Sequence, residues 1–182
     1  AGTFEAQLVG GLGYRTPELL LGLLDAAAPG RRFAAALDLG CGTGLMGALL
    51  RPRVGHLTGV DLSPAMVEQA RAKNVYDALE AAEIVAWLEA TAETFDLVAA
   101  ADVLVYLGDL APLFRAAAAR LAPGGLVLVS TEAGAPDETW RLLESGRFRH
   151  GAPYVEGLAR ASRLEPVAER AAVLRHDFGR PI

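Results

Sequence analysis

The stretch from Phe33 to Gly44 constrains this chain more than any other. Phe33 to Leu39 reads Phe-Ala-Ala-Ala-Leu-Asp-Leu, and the next five residues are Gly-Cys-Gly-Thr-Gly. A short apolar run that stops at glycines is the pattern of a buried strand. Leu45 to Leu50 then reads as a helix, with Pro52 past its end. The glycines between the two elements have a physical use. A side chain there would keep the backbone from closing around a ligand, and a tight turn visits φ above zero.

The same alternation continues along the chain. Thr16 is expected to cap a helix with Pro17 in its first turn, running through Leu19, Leu20, Leu23 and Leu24 to Pro29-Gly30. His56 to Val60 is a second strand, and Ser63 before Pro64 starts a helix that turns Val67 and Ala70 inward. A third strand is placed around Ala81 to Ile84, and a fourth from Phe95 to Ala101. Asp109 reads as the N-cap of a helix from Leu110 to Leu121, and Pro123-Gly124-Gly125 as a turn into a fifth strand, Leu126 to Ser130. A helix near Tyr154 to Arg163 and a β-like run from Pro166 to Leu174 complete the reading. Strands alternating with helices of this length require a mostly parallel sheet covered on both faces, a three-layer, doubly wound α/β sandwich.

Composition narrows the function classes. With 182 residues, 52% hydrophobic, the chain matches one domain with a real core, and disorder, collagen and coiled coil are excluded. Its apolar runs are far shorter than the roughly 20 residues that cross a bilayer, and no basic-then-apolar leader is present. A net charge of −5 argues against a broad nucleic-acid binder. Cys41, the single cysteine, has no disulfide partner within the chain, which fits a reducing, cytoplasmic setting. Lys73 is the single lysine among seventeen basic residues and alanine is abundant, a composition that reads as GC-rich bacterial coding. The chain begins without Met, so its start is expected to be trimmed. His56, His150 and His176 lack ligand spacing, and no metal site is expected.

Two registers compete in the glycine loop. Gly42-x-Gly44-x-x-Gly47 satisfies the dinucleotide fingerprint, whereas Asp38-x-Gly40-x-Gly42-x-Gly44 sets an acid inside the strand. The strand ends at Leu39, which favours the second. An acid beside the loop would repel a pyrophosphate at the helix N-terminus but welcome a ligand carrying a sulfonium and an ammonium. Asp61, about 20 residues on at the end of the second strand, can accept both hydroxyls of a ribose.

With these features the chain resembles the class I S-adenosylmethionine-dependent methyltransferases from about Phe33 to Ser130. The resemblance rests on Leu37 to Gly44, on Gly59-Val-Asp-Leu-Ser-Pro-Ala-Met66, on Phe95-Asp-Leu-Val98 and on Leu121-Ala-Pro-Gly-Gly-Leu126. Tyr14 to Leu20, Ala101 to Leu110 and Gly146 to His150 further resemble a bacterial subgroup of predicted methyltransferases, some carrying tetratricopeptide repeats that this chain lacks. The resemblance implies a Rossmann-like sheet and S-adenosylmethionine as cofactor, with S-adenosylhomocysteine as its product. Gly40, Cys41, Gly42 and Gly44 with Asp38 would surround the methionine portion and Asp61 the ribose. Leu62 and Met66 would pack on the adenine, Glu83 would hold its amino group with Ile84 alongside, and Ala101 would close the cofactor side of the fourth strand. Cys41 itself reads as a small loop residue. The division implied is a lid and helix over 1–30, a cofactor core over 33–130 and a substrate-side part over 131–182, within a single methyltransferase domain 1–182. The family sheet ends in a hairpin whose last strand would follow Ile182.

The acceptor face lies at the carboxyl ends of the strands. Asp102 there reads either as a base or amine-binding anion or as a carboxylate capping the next turn. Tyr106 either shapes the pocket or closes the core, the second being preferred. Arg147-Phe-Arg-His150 is a basic cluster that would bind an anionic substrate, or RNA by stacking, against the preferred alternative of a solvated β edge with one buried ring. Tyr14 and Arg15 are candidate substrate-side residues in a lid that the resemblance implies would fold over the cofactor, the alternative being a surface cap. The expected function is methyl transfer to an oxygen or nitrogen of a small molecule or protein side chain. The alternatives are a cofactor-binding but inactive assembly module and, less favoured, an NAD(P)-linked oxidoreductase. The methyl acceptor and the oligomeric state are not legible in the sequence.

Overall fold

A computed structural model describes residues 14–173 together with the backbone of two short strands at 176–177 and 180–181. Helix α1 (Thr16–Ala27) precedes strand β1 (Phe33–Leu39), followed by α2 (Leu45–Leu50), β2 (Val54–Asp61), α3 (Pro64–Arg71), β3 (Ala78–Ala81) and α4 (Ile84–Ala90). The chain continues through β4 (Phe95–Ala100), a 3₁₀ turn over Leu104–Tyr106, α5 (Ala111–Ala119) and β5 (Leu121–Val129). A three-stranded sheet of β6 (Glu132–Ala133), β7 (Trp140–Leu142) and β8 (Phe148–His150) then leads into α6 (Ala152–Ala161). His176–Asp177 and Arg180–Pro181 pair antiparallel with each other.

The five central strands are ordered β3-β2-β1-β4-β5, every pair parallel. The order reverses between β1 and β4, which opens a crevice beyond the carboxyl end of β1. On one face Leu20, Leu24, Met46 and Leu50 from α1 and α2 cover Phe33, Ala36, Leu57, Leu97 and Ala99. On the other, Ile84, Leu88, Leu113 and Phe114 from α4 and α5 cover Leu37, Leu39, Val60 and Val98. The three-layer sandwich read from the sequence is therefore the fold. Asp96 shows why a polar residue follows Phe95 in β4. Its two carboxylate oxygens accept the Ala34 and Ala35 amides at 2.8 and 2.9 Å where the β4–β5 register shifts.

Several expectations are corrected. Thr16 is not the N-cap of α1. Arg15 holds that position without a side-chain cap, while Thr16 lies inside the helix, buried, its hydroxyl without a partner. The third strand sits at 78–81 and not at 81–84, because Glu83 ends the extended run by capping α4, so that Ile84 and Val85 enter a helix despite their β-branching. β5 starts five residues early, running through Pro123-Gly124-Gly125. The run from Pro166 to Val173 forms no strand. Glu169 and Arg170 interrupt it, and its alanines suit a strand poorly. Asp109 is not the N-cap of α5: Leu110 holds that position without a side-chain cap, and Asp109, one residue earlier, accepts the Ala111 amide at 2.9 Å. Ser63 does cap α3. A cavity of about 700 Å³ lies along the outer edge of β5, between Leu19, Leu126, Val155 and Leu164. It is two strands removed from the glycine loop at the end of β1.

Candidate functional site

The loop after β1 turns through three left-handed glycines, Gly40, Gly42 and Gly44, with φ of 62°, 53° and 89°. Their surroundings differ. A methyl group on Gly40 would lie 2.3 Å from a methyl carbon of Val103, so this glycine lets the loop after β4 close over β1. A methyl group on Gly42 would meet nothing nearer than the Gly40 carbonyl at 4.0 Å, which leaves the open side of the loop to a ligand. The Cys41 amide donates to Val60 O at 3.0 Å, tying the loop to β2. Cys41 is buried, and burial with the charges of Asp38 and Asp61 pushes its thiol far up, so it is an inert loop residue.

Asp61 knits the site together. One carboxylate oxygen accepts the Gly42 amide at 2.9 Å and the other the Ser63 amide at 2.8 Å. An ionised carboxylate has about four acceptor positions, so two remain for donors such as paired ribose hydroxyls. Leu62, next to it, is 71% exposed, an apolar side chain left on the surface beside the polar anchor. Met66 is half-buried behind it and Ile84 is buried. Glu83 is engaged locally, its oxygens accepting the Val85 and Ala86 amides at 3.0 and 2.7 Å. A flat heterocycle on Leu62 with its sugar on Asp61 fits this arrangement.

Asp38 departs from the sequence picture in its placement. It lies within β1, 1% exposed, so it faces the interior beneath the loop and offers no surface to a ligand. Oδ2 accepts the Tyr76 hydroxyl at 2.7 Å, while Oδ1 is buried with no hydrogen-bond partner. Burial raises its pKa from 3.8 to about 7, against the opposing pull of the Tyr76 hydroxyl and the Gly47 backbone. Tyr76 was not foreseen. It stands 38 residues from its partner, and no spacing rule links the two. Its ring fills a socket floored by glycines: a methyl group on Gly47 would lie 2.2 Å from its oxygen, one on Gly59 2.8 Å from its ring, and one on Gly44 3.0 Å from it. Gly47, the third glycine of the apparent dinucleotide fingerprint, is thus explained by Tyr76 and not by a pyrophosphate.

At the carboxyl end of β4, Asp102 takes a left-handed conformation, φ 59°, that aspartate tolerates. Its amide donates to Ser130 Oγ at 2.8 Å, fastening β4 to β5, and its Oδ1 accepts Arg147 Nη2 at 2.7 Å. Arg147 is buried between Asp102 and Glu132, the latter at 3.3 Å. Its guanidinium lies 5.5 Å from the Tyr106 ring centre. Those neighbouring charges hold it protonated despite its burial. Arg147 therefore arrives already neutralised, not as an open anion site. Tyr106 is 63% exposed, which overturns the preferred reading of it as a core residue and leaves its ring on the acceptor side.

The basic cluster at 147–150 is likewise no solvated edge. β8 is the central strand of the small sheet. His150 is 1% exposed, and its Nε2 lies 2.9 and 3.1 Å from the carbonyl oxygens of Leu107 and Gly108. Two acceptors require Nε2 to carry a proton, and burial lowers the pKa of the ring against the raising pull of those two carbonyls. His150 supports the 107–108 turn and presents almost no surface of its own. Arg15 is exposed and Tyr14 half-buried at the start of α1, and Ala101 is half-buried beyond β4. Among the described residues no cluster of His, Cys, Asp and Glu could hold a metal ion.

A family model described as a methyltransferase domain matches residues 12–164. Trans-aconitate 2-methyltransferase of Methylobacterium radiotolerans is 38% identical over 112 residues, 60% of this chain and 42% of that one. Malonyl-[acyl-carrier protein] O-methyltransferase of Salmonella typhimurium is 36% identical over 102 residues, 56% of this chain and 40% of the relative. The chain thus spans about two fifths of these relatives. Among solved structures, the N-methyltransferase NodS of Bradyrhizobium japonicum in complex with S-adenosylhomocysteine is 26% identical, with a TM-score of 0.64 over 79% of this chain and 72% of that one.

Proposed function

Since the chain belongs to this methyltransferase-domain family, we propose that it moves a methyl group from S-adenosylmethionine to an oxygen or nitrogen of a small-molecule acceptor. The observation that carries the reading is Asp61. Its carboxylate is fixed by one amide from the glycine loop and one from the start of α3, with acceptor capacity left over beside the exposed Leu62.

When bound, the cofactor supplies a sulfonium methyl, an electrophile strong enough that the protein's work is mainly orientation and exclusion of water. Asp61 receives the ribose, Leu62 and Ile84 flank the adenine, and Gly42 leaves room for the chain that carries the sulfur. Glu83 keeps its free acceptor positions toward the adenine amino group while capping α4. Asp102 and Tyr106, with Arg147 behind them, form the wall that an acceptor meets. Asp102 holds its carboxylate against a buried guanidinium, so the role that suits it is to orient an acceptor and not to carry a proton away. The named activity of one relative, on trans-aconitate, agrees with a small acceptor, and a Tyr14–Arg15 lid would close over the site.

No helix among the described residues is long and apolar enough to cross a membrane, and the fold's acidic balance suits a cytoplasmic enzyme. Titration calorimetry with S-adenosylmethionine, S-adenosylhomocysteine and NAD tests the reading. Binding of the two adenosyl ligands without NAD is expected, and NAD binding without the others overturns it.

A further inference from the structure

We propose that Tyr76 is a positioning residue, one whose hydrogen bond lets the Asp38 carboxylate ionise near neutral pH under the glycine loop, so that its charge favours a cationic ligand above. The inference rests on the adenosyl-ligand reading and deepens it. Asp38 cannot touch that ligand directly, being covered on every side, so what it offers is charge, felt across the thickness of the loop. Inside a protein that field is far less screened than in water. An isolated buried carboxylate would instead take up a proton. The hydroxyl of Tyr76, 2.7 Å from Oδ2, is the one side-chain hydrogen bond that the carboxylate accepts among the described residues, where Oδ1 has no side-chain partner.

The chain has made room for that hydroxyl at some expense. Gly44, Gly47 and Gly59, from the loop, α2 and β2, all lack the side chain that would collide with the Tyr76 ring. A phenyl ring would fill the socket equally well, so what the oxygen adds is the hydrogen bond. The titratable groups around the carboxylate are Tyr76 from the α3–β3 connection, Cys41 on the loop and Asp61 at the end of β2. Lys73 lies over Gly44, α2 presents the Gly47 backbone, and β4 presents only Ala99. Burial and Asp38 push the Tyr76 phenol well up, so it stays a donor throughout the working range.

The test is Tyr76→Phe, with calorimetric affinities at pH 6, 7 and 8 for three ligands of graded charge. S-adenosylmethionine carries a sulfonium and an ammonium, S-adenosylhomocysteine only the ammonium, and 5′-methylthioadenosine neither. The amino group itself titrates near pH 8, so the readout is the variant-to-wild-type ratio, in which that effect cancels. At pH 7 the variant should lose about tenfold for S-adenosylmethionine, less for S-adenosylhomocysteine and nothing for methylthioadenosine, and the loss should be smaller at pH 6, where wild type is itself protonated, and at pH 8, where the variant also begins to ionise. An equal loss for all three ligands, or none, overturns the proposal, because a merely structural role cannot sort ligands by charge. Asp38→Asn provides the second variant. It should give a charge-graded loss that grows from pH 6 to pH 8 as the wild-type carboxylate ionises, and it carries the test if Tyr76→Phe does not fold. Wild-type protein that binds none of the three ligands would refute the function reading itself, a result distinct from either outcome.

Discussion

Replacing Asp38 with asparagine should stabilise the fold at neutral pH, and the size of the gain follows from the site. Folding raises the Asp38 pKa from 3.8 to about 7, chiefly through burial. An acid of this kind binds its proton more tightly in the native state than in the unfolded one. Its contribution is therefore fully favourable below about pH 4, is lost as pH rises through the interval up to about 7, and stays lost above that. Three pH units at ~1.36 kcal/mol each give about 4 kcal/mol forfeited by the wild type at pH 8. Asparagine avoids that cost. Its oxygen still accepts the Tyr76 hydroxyl, but its amide nitrogen falls where Oδ1 has no partner, and an unsatisfied buried donor costs about 1–3 kcal/mol. The net expectation is a variant about 1–3 kcal/mol more stable than wild type at pH 8 and less stable by about 0–2 kcal/mol at pH 4.5, where the wild type has so far forfeited only about 1 kcal/mol. Urea unfolding at pH 4.5, 6 and 8 with unchanged m-values reads this directly. A stability difference that does not vary with pH, or a variant weaker than wild type at pH 8, would refute the reasoning. The gain should come with poorer binding of cationic ligands, a stability–function trade at one residue.

Other perturbations probe neighbouring parts of the site. Asp61→Ala should weaken S-adenosylhomocysteine binding by about 1.5–3 kcal/mol, the range for charge-assisted hydrogen bonds. It should also lower the melting temperature, since Gly42 and Ser63 lose the acceptor for their amides; unchanged affinity in a folded variant would place the ribose elsewhere. Asp102→Asn retains the left-handed backbone but leaves Glu132 alone to balance the buried Arg147. Transfer to an acceptor found by tritiated-methyl screening should fall about 10²-fold with cofactor affinity nearly unchanged, and near wild-type turnover would remove Asp102 from the mechanism. Gly47→Ala should cost about 1–3 kcal/mol through overpacking against Tyr76, and adding Tyr76→Val should recover part of it; additive losses in a double-mutant cycle would show that the socket can be relaxed another way.

The fold was legible because its signals are local. β1 and α2 are bounded as expected, since apolar runs, glycines and a following proline act within a few residues. The errors fall where a local signal was outweighed. Leu79 to Val85 contains residues that suit strand and helix alike, and what decides is the Glu83 carboxylate turning back to cap α4. The run from Pro166 onward has strand-forming residues at intervals but too many charges among them. The small sheet of β6, β7 and β8 was missed for a different reason. Its strands are two or three residues long, below the length at which alternation can be recognised.

The site divides along the same line, and the glycines make the division visible. A glycine in a sequence announces that a side chain is unwelcome, without saying whether the space belongs to a ligand or to the protein. Gly42 leaves open space, Gly40 accommodates Val103, and Gly44 and Gly47 accommodate Tyr76. The two glycine registers read from spacing alone were therefore incapable of resolving the ligand. What separates them is the identity of each intruder: Val103 comes from the loop after β4 and Tyr76 from the connection between α3 and β3. The charged groups obey the same rule. Asp61 is bound to near neighbours around the loop and could be assigned from position, whereas Asp38 and Asp102 take their chemistry from Tyr76 and Arg147, 38 and 45 residues away. A carboxylate's place in a motif predicts where its backbone goes. Its protonation and its function are set by partners that only the tertiary fold delivers, so the residues that tune this site lie outside the motifs that announce it.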